Sequence, residues 1–527
     1  MTLSSNDIAC IVIGLSLVLY IDIVGIVYLF NKKASAFTSN QVFYLKKWSY
    51  ISFVLFLNAA GCALVYYTSN LQGILYIILV MKSKDIIMAL MFPINMLIKA
   101  CFSVKTPIVS LETPNTSSNR ILAFVPTYKE SKEQIRRTVN SLISQSNENV
   151  VLFVVSDGHD DNTFLFDDVK YTHNSSYVSW NGQDVDVAVS YGLYNGAKIV
   201  VLHKNKNMGK KDSIILCHEM FNMMNKEFVL STEIKNSIKE HFDITQFDYI
   251  FGTDADTIVS DNTFSFLIES INSRNAIASC GILNPDKSHG SFAWNHLQNF
   301  QYMYGQYMRR TNEDVFSQVL CLPGCVSMFK VDECINNALR LYSETPDPKC
   351  LVTSCVQHVG TDRRLTSLLV SSNATNRIVL DTRVHAYTCV PDNISLFLKQ
   401  RTRWCQNMYF NTLLNIVAPN VNLLLRFFNA IDFLRLTFVY FRFFNTTYFI
   451  FLLASNFTSK DILNLVPYIV ILSYPVVVFL IYSLFNSHLR NQYVSIVLSL
   501  IVNKIFSFFS TITIFTLMLC NIGNNVW

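Results

Sequence analysis

Apolar residues in this chain form long runs at both ends and short runs, each cut by a polar turn, in the middle. "IACIVIGLSLVLYIDIVGIVYLF", residues 8–30, and "YISFVLFLNAAGCALVYY", residues 50–67, are each long enough to cross a bilayer, which takes about 20 residues. The first lacks the basic flank and the small-residue cleavage site of a signal peptide. "KSKD" at 82–85 interrupts the next apolar stretch, so the pattern predicts a span at 85–102 with a short interfacial piece before it. Three more spans are predicted at 434–455, 464–486 and 493–519. Before them, "VNLLLRFFNAIDFLRL" sets Arg426, Asp432 and Arg435 among apolar faces, which suits a helix lying in the interface.

The middle reads differently. "RILAFVPTYKES", "NVVLFVVSDG", "GAKIVVLHKNKN" and "FDYIFGTDAD" are apolar runs that stop at polar ends, and Ile135, Val139, Leu142 and Ile143 follow the first at helical spacing. Strand, polar end, helix, strand predicts a mostly parallel α/β sheet. Ligands of such sheets bind beyond the carboxyl ends of the strands, where all four polar ends fall. The expected division is a membrane region over 1–103, a catalytic-type α/β domain over 104–415, and an interfacial helix with further spans over 416–527.

Composition agrees with a chain partly in lipid: 51% apolar, 15% charged, and 40 Phe among 527 residues, against roughly 25% charged in ordinary soluble domains. A net charge of +5 gives no nucleic-acid signature. Lys32, Lys33, Lys46 and Lys47 crowd the first loop, which places that loop, the central block, and His488 and Arg490 in the cytoplasm, with Trp527 outside. The sequons at Asn174, Asn373 and Asn393 are then expected to stay unglycosylated. Thirteen Cys without finger-type pairs point to free, buried thiols.

Neither GxxxxGK[ST] nor GxGxxG occurs, which argues against an ATPase and a nicotinamide enzyme. Asp254 and Asp256, spaced D-x-D at a strand end, are the residue types that hold a hard divalent cation through oxygen, though the triplet alone is also common loop decoration. Asp362 precedes Leu365, Leu368 and Leu369, so it is expected near a helix N-terminus, where amide dipoles favour a carboxylate. Lys210, Lys211 and Arg403 are candidates to meet a phosphate, and Gly209 lets backbone come close to it. Trp404 offers an indole face to a pyranose ring, or an anchor at the membrane surface.

"PTYKES", "SDG", "NMGKKDS", "TDAD", "CLPGC", "GTDRRLT" and "QRTRW" occur in the order found in processive, membrane-embedded family 2 glycosyltransferases, and the chain most resembles the chitin synthases. The resemblance implies a cytoplasmic GT-A-type domain in an integral protein of the plasma membrane. That domain would move N-acetylglucosamine from UDP-N-acetylglucosamine to a growing β-1,4-linked chitin chain, with inversion. Mg²⁺ or Mn²⁺, membrane lipids and a second copy of the chain are the implied cofactor and partners. It further implies that Thr127, Tyr128 and Glu130 line a uridine pocket, and that Asp157 accepts from uracil. Lys210, Gln400, Arg403 and Trp404 would complete the nucleotide and acceptor site, with Asp254 and Asp256 at the metal and Asp362 as general base. Cys321, Pro323, Gly324 and Thr361 would contact the sugars, with Cys321 and Cys325 packing rather than reacting. Thr361 stands where chitin synthases usually carry Glu, Gln301 replaces the Glu of their Q-F-E-Y, and Thr402 replaces a middle Arg. These departures leave a hyaluronan synthase or another polysaccharide synthase of the same family as the alternative.

Overall fold

The computed structural model describes residues 39–523, apart from 69–70, 103–118, 146–148, 159–165, 167–168, 223–225, 287–291, 348, 360 and 456–458. The predicted span at 8–30 and the boundary at 103 lie outside the described residues.

The central block folds as one ten-stranded sheet: β1 Ile121–Thr127, β2 Val150–Ser156, β3 Lys170–Val178, β4 Asp184–Tyr194, β5 Ala197–Lys204, β6 Tyr249–Gly252, β7 Thr257–Val259, β8 Ala278–Asp286, β9 Ser327–Lys330 and β10 Ile378–Cys389. The spatial order is β3-β4-β5-β2-β1-β6-β9-β8-β10-β7. β5, β2, β1 and β6 run parallel, which aligns the ends of the four predicted strands along one edge. β1 and β2 are buried along nearly their whole length, as expected of central strands covered on both faces. The helix Lys132–Ile143 returns the chain between them. Its start is fixed by a capping box in which the Ser131 hydroxyl accepts from the Gln134 amide while the Gln134 side chain accepts from the Ser131 amide.

The sheet is mixed rather than mostly parallel. Both flanks turn antiparallel, through β4 against β5 on one side and β9 between β6 and β8 on the other. The reason is local: β4 and β5 are joined by a two-residue turn at Asn195–Gly196, both at positive φ, which forces a hairpin.

Two described helices are long and apolar enough to cross a membrane, at Gln41–Tyr67 and Leu465–Phe485, and a third if the pair Tyr493–Ser507 and Phe509–Asn521, bent by 53°, counts as one span. The chain is therefore an integral membrane protein with a folded central domain. Two span expectations are corrected. "KSKD" does not break its helix, which runs from Leu71 to Phe102. Its charges are answered from elsewhere: Lys84 pairs with Asp432, and Asp85 takes Arg435 at 3.1 Å and Arg309 at 3.4 Å. The expected span at 434–455 is broken at Phe438 into Leu423–Thr437 and Val439–Ser455. Arg435 of the first piece is needed at Asp85, and Arg442 of the second donates to the Arg435 carbonyl at 2.8 Å.

Asp85→Asn would leave two arginines facing a neutral amide in a mostly buried place. We expect a loss of about 3–5 kcal/mol, read as a lower unfolding midpoint of the detergent-solubilised chain. An unchanged midpoint would mean that the cluster does not hold these helices together.

Candidate active site

Four strand ends and two helix starts converge on one cavity of about 860 Å³. Leaving β1, Thr127 leads to Tyr128, Lys129 in the left-handed region (φ 64°) and Glu130, whose carboxylate folds back to accept from the Tyr128 amide. At the end of β2, the Asp157 amide donates to the Thr127 carbonyl at 2.9 Å, locking the two loops together. Asp157 Oδ1 accepts from the Met208 amide at 2.8 Å, while Oδ2 is buried without a hydrogen-bond partner. Gly158 (φ 64°) permits this closeness, since a Cβ there would stand 2.6 Å from Asn207 Cα.

After β5, Gly209 (φ 82°) begins the helix Lys210–Phe221 and throws the Lys210 side chain across the cavity. Its ammonium bridges two carboxylates: Asp254, on the turn after β6, in direct contact, and Asp362 at 3.7 Å. Asp254 Oδ2 also accepts from the Cys325 thiol at 3.0 Å. Asp256 takes only the hydroxyls of Thr257 and Thr388, each at 3.3 Å, and no ion pair among the described residues. Asp362 opens the helix Asp362–Ser372, as its spacing predicted. The Cys321–Cys325 loop is stitched over it: the Leu322 amide donates to the Thr366 hydroxyl at 3.0 Å, and that hydroxyl donates to the Asp362 carbonyl at 2.7 Å. A Cβ on Gly324 would lie 2.7 Å from both Asp362 carboxylate oxygens, so a side chain there would have to displace the carboxylate.

The remaining wall is the helix Ile394–Val417. It brings Gln400, Arg403 and Trp404 to the cavity. The Arg401 guanidinium lies 4.3 Å from the Trp404 ring centroid, and Tyr302 meets the same indole edge-on at 6.3 Å. Fifteen of the residues singled out in the sequence line this one cavity: Thr127, Tyr128, Glu130, Asp157, Lys210, Asp254, Asp256, Cys321, Pro323, Gly324, Thr361, Asp362, Gln400, Arg403 and Trp404. The cavity continues past Arg309 and Arg310 to Leu436, Asn503, Thr511 and Ile514, and so reaches the C-terminal apolar helices.

Crowding sets the protonation of the carboxylates. Burial works to raise the Asp254 carboxyl, but Lys210, the Cys325 thiol and Arg403 outweigh it and hold the group below the usual range. Asp256 is pushed up to about 6 by burial and then by Asp254. Glu130 rises to about 7, chiefly through burial, with the two aspartates adding to it. Burial lowers Arg403, against the pull of Asp362 and Asp254.

This carboxylate set fits a divalent cation. Asp256 offers carboxylate oxygens without an ion-pair partner among the described residues, beside a second carboxylate. No group of three or more His, Cys, Asp or Glu poised for a metal exists among the described residues. Such an ion would thus complete its shell with phosphate oxygens and water, as Mg²⁺ sites commonly do.

One expectation is corrected. Lys211 does not face the cavity: its ammonium is buried 3.9 Å from the Trp180 ring centroid and 4.8 Å from that of Tyr342, and donates to the Gln357 carbonyl at 2.8 Å. Cys325 lines the cavity and its thiol donates to Asp254. Thr388, Tyr302 and Arg401 were missed. Arg401 lies within "QRTRW" and Tyr302 next to Gln301, so motifs covered both without singling them out, whereas Thr388 comes from a segment without a motif and only the fold brings it in.

A family model described as chitin synthase matches residues 187–518. Chitin synthase 8 of Verticillium dahliae is 23% identical over 438 residues, 73% of this chain and 71% of that protein. Chitin synthase 8 of Gibberella zeae is 24% identical, over 74% of this chain and 63% of its own length. Chitin synthase 6 of Mycosarcoma maydis is 26% identical, over 59% of this chain and 30% of its own length. The chain thus spans from under a third to about seven-tenths of these relatives. Among solved structures, a mannosyltransferase of Pyrobaculum calidifontis in complex with GDP-Man and Mn²⁺ aligns over 82% of this chain and 99% of its own, at 12% identity and a TM-score of 0.42. With its family model covering more than half its length, the chain belongs to the chitin synthase family.

Mn²⁺ with pyrophosphate should raise the unfolding midpoint of the full chain, by roughly 2–3 kcal/mol at about 100 times the dissociation constant. Asp256→Asn should abolish that gain. Equal protection of both proteins would remove Asp256 from the ion's shell.

Proposed function

We propose that the chain is a processive, inverting glycosyltransferase with a GT-A-type domain. It moves N-acetylglucosamine from UDP-N-acetylglucosamine to the growing end of a β-1,4-linked chitin chain and passes the polymer into its apolar helices. One observation carries this reading: a single cavity joins Asp157, Asp254, Asp256 and Asp362 to Asn503 and Thr511 of the apolar helices.

Asp157 reads the uracil ring with its unpartnered oxygen, while Thr127, Tyr128 and Glu130 close around the nucleoside. The acceptor hydroxyl attacks the anomeric carbon, the bond from that carbon to the diphosphate oxygen breaks, and Asp362 takes the hydroxyl proton. Lys210 and Arg403 meet the departing charge, Arg403 through its forked donors. Mg²⁺ or Mn²⁺ held at Asp254 and Asp256 would supply further neutralisation of the diphosphate. Gln400 and Trp404 hold the acceptor end, with the Arg401 stack fixing the indole. The loop of Cys321, Pro323 and Gly324, with Thr361, bounds the sugars. The catalytic domain is cytoplasmic and the membrane the plasma membrane.

Membranes holding the chain, given UDP-N-acetylglucosamine alone, should make a polymer that chitinase degrades. A need for UDP-glucuronate would instead mark a hyaluronan synthase. Asp362→Asn should still bind UDP-N-acetylglucosamine yet lose about 10²–10⁴-fold in rate. A variant polymerising at the parent rate would strike Asp362 from the mechanism.

A further inference from the structure

Lys204 ends β5 with its ammonium fully buried between two buried carboxylates, Asp212 at 2.7 Å and Asp157 at 3.5 Å. It also donates to the Ser213 hydroxyl at 2.7 Å. Asp212 is held in turn by the β3–β4 hairpin: the Tyr177 hydroxyl donates to its Oδ2, and the Trp180 amide to its Oδ1 at 3.1 Å. Nothing in the transfer step uses Lys204 or Asp212, and neither lines the cavity. An ammonium here is costly to bury and must be answered by its surroundings.

We propose that Lys204 is a positioning residue of the base pocket, keeping Asp157 ionised and turned so that Oδ2 accepts from the N3–H of uracil. This rests on the reading of Asp157 given above. The geometry divides the carboxylate. Oδ1 is occupied by the Met208 amide and the Lys204 ammonium, and Oδ2 is left buried without a hydrogen-bond partner on a side chain that lines the cavity. Burial raises the Asp157 carboxyl above its usual range, and Lys204 is the foremost group that limits the rise. The chemistry then sorts bases. A carboxylate accepts from the N3–H of uracil but repels the bare N3 of cytosine. A protonated carboxyl would donate to that same cytosine nitrogen. Lys204 therefore acts on which nucleotide is chosen, and the hairpin, through Asp212, fixes where Lys204 stands.

The test is UDP and CDP binding to the full, detergent-solubilised chain, measured calorimetrically with Mn²⁺ present. The parent should prefer UDP by roughly 10- to 100-fold, the range that one charge-assisted hydrogen bond supplies. Lys204→Met should bring that ratio toward one, whereas Lys204→Arg, which keeps the charge, should preserve it. An unaltered ratio in Lys204→Met overturns the inference. If that variant does not fold, loss of UDP preference in folded Lys204→Arg overturns it equally, and retention supports it. Asp157→Asn separates the two levels. A full UDP preference there removes the base-reading role itself. A lost preference there beside a kept one in Lys204→Met leaves that role standing and removes only Lys204.

Discussion

Everything in the cavity depends on one ammonium placed among like charges. Asp254, Asp256 and Asp362 come from different elements, and three carboxylates in one partly closed space repel one another. Lys210 answers two of them, and it can do so because Gly209 turns the chain at positive φ just before it and Gly324 leaves room for it. Asp256 is left under-neutralised, with its carboxyl raised toward neutral pH. Asp256 thus keeps negative charge that Lys210 does not answer, which is the electrostatic state that a cation-bound diphosphate would relieve.

The second constraint is mechanical. A site that works against a membrane must be fastened to it, and the fastening is polar. The helix Phe292–Tyr304 meets Tyr493–Asn521 through His296 and Ser499 at 2.9 Å, and Asn503 donates to the Leu297 carbonyl at 3.2 Å. Next along the chain, a π-helical turn at Gly305–Arg310 delivers Arg309 to Asp85. Such turns widen a helix by one residue and re-aim its side chains. Here the turn carries one arginine to the cluster at the membrane helices and keeps the helix lining the cavity.

The parallel half of the sheet was legible because buried central strands are uninterrupted apolar runs, and "ILAFV" and "VVLFVV" can be little else. The acidic ends were legible because strand ends share an edge. The flanks were not, since whether a strand is parallel depends on which neighbour it meets, and a two-residue turn at Asn195–Gly196 decided that for β4 and β5. "KSKD" misled because charges in an apolar helix signal a break only if they stay unpaired, and their partners Asp432 and Arg309 lie hundreds of residues away. Lys210 and Lys211 are alike in sequence, but adjacent helical positions point about 100° apart. One therefore reaches the carboxylates while the other enters an aromatic cage.

The last helix shows why the cavity can end among apolar segments. On Tyr493–Asn521, Ile501, Ile505 and Phe509 are exposed on the outside of the protein, whereas Asn503, Thr511 and Ile514 line the cavity. A helix facing lipid all round would be apolar all round, and polar groups within a span are costly unless they face a partner or a polar space. Asn503 has both, since it is bonded to Leu297 and borders the cavity. The 53° bend between Ser507 and Phe509 falls between the two polar positions and turns the second half of the helix away from the first. A polar lining behind an apolar exterior is what a hydroxyl-rich chain leaving Asp362 would require. It also lets one cavity run from the acidic strand ends to the membrane helices.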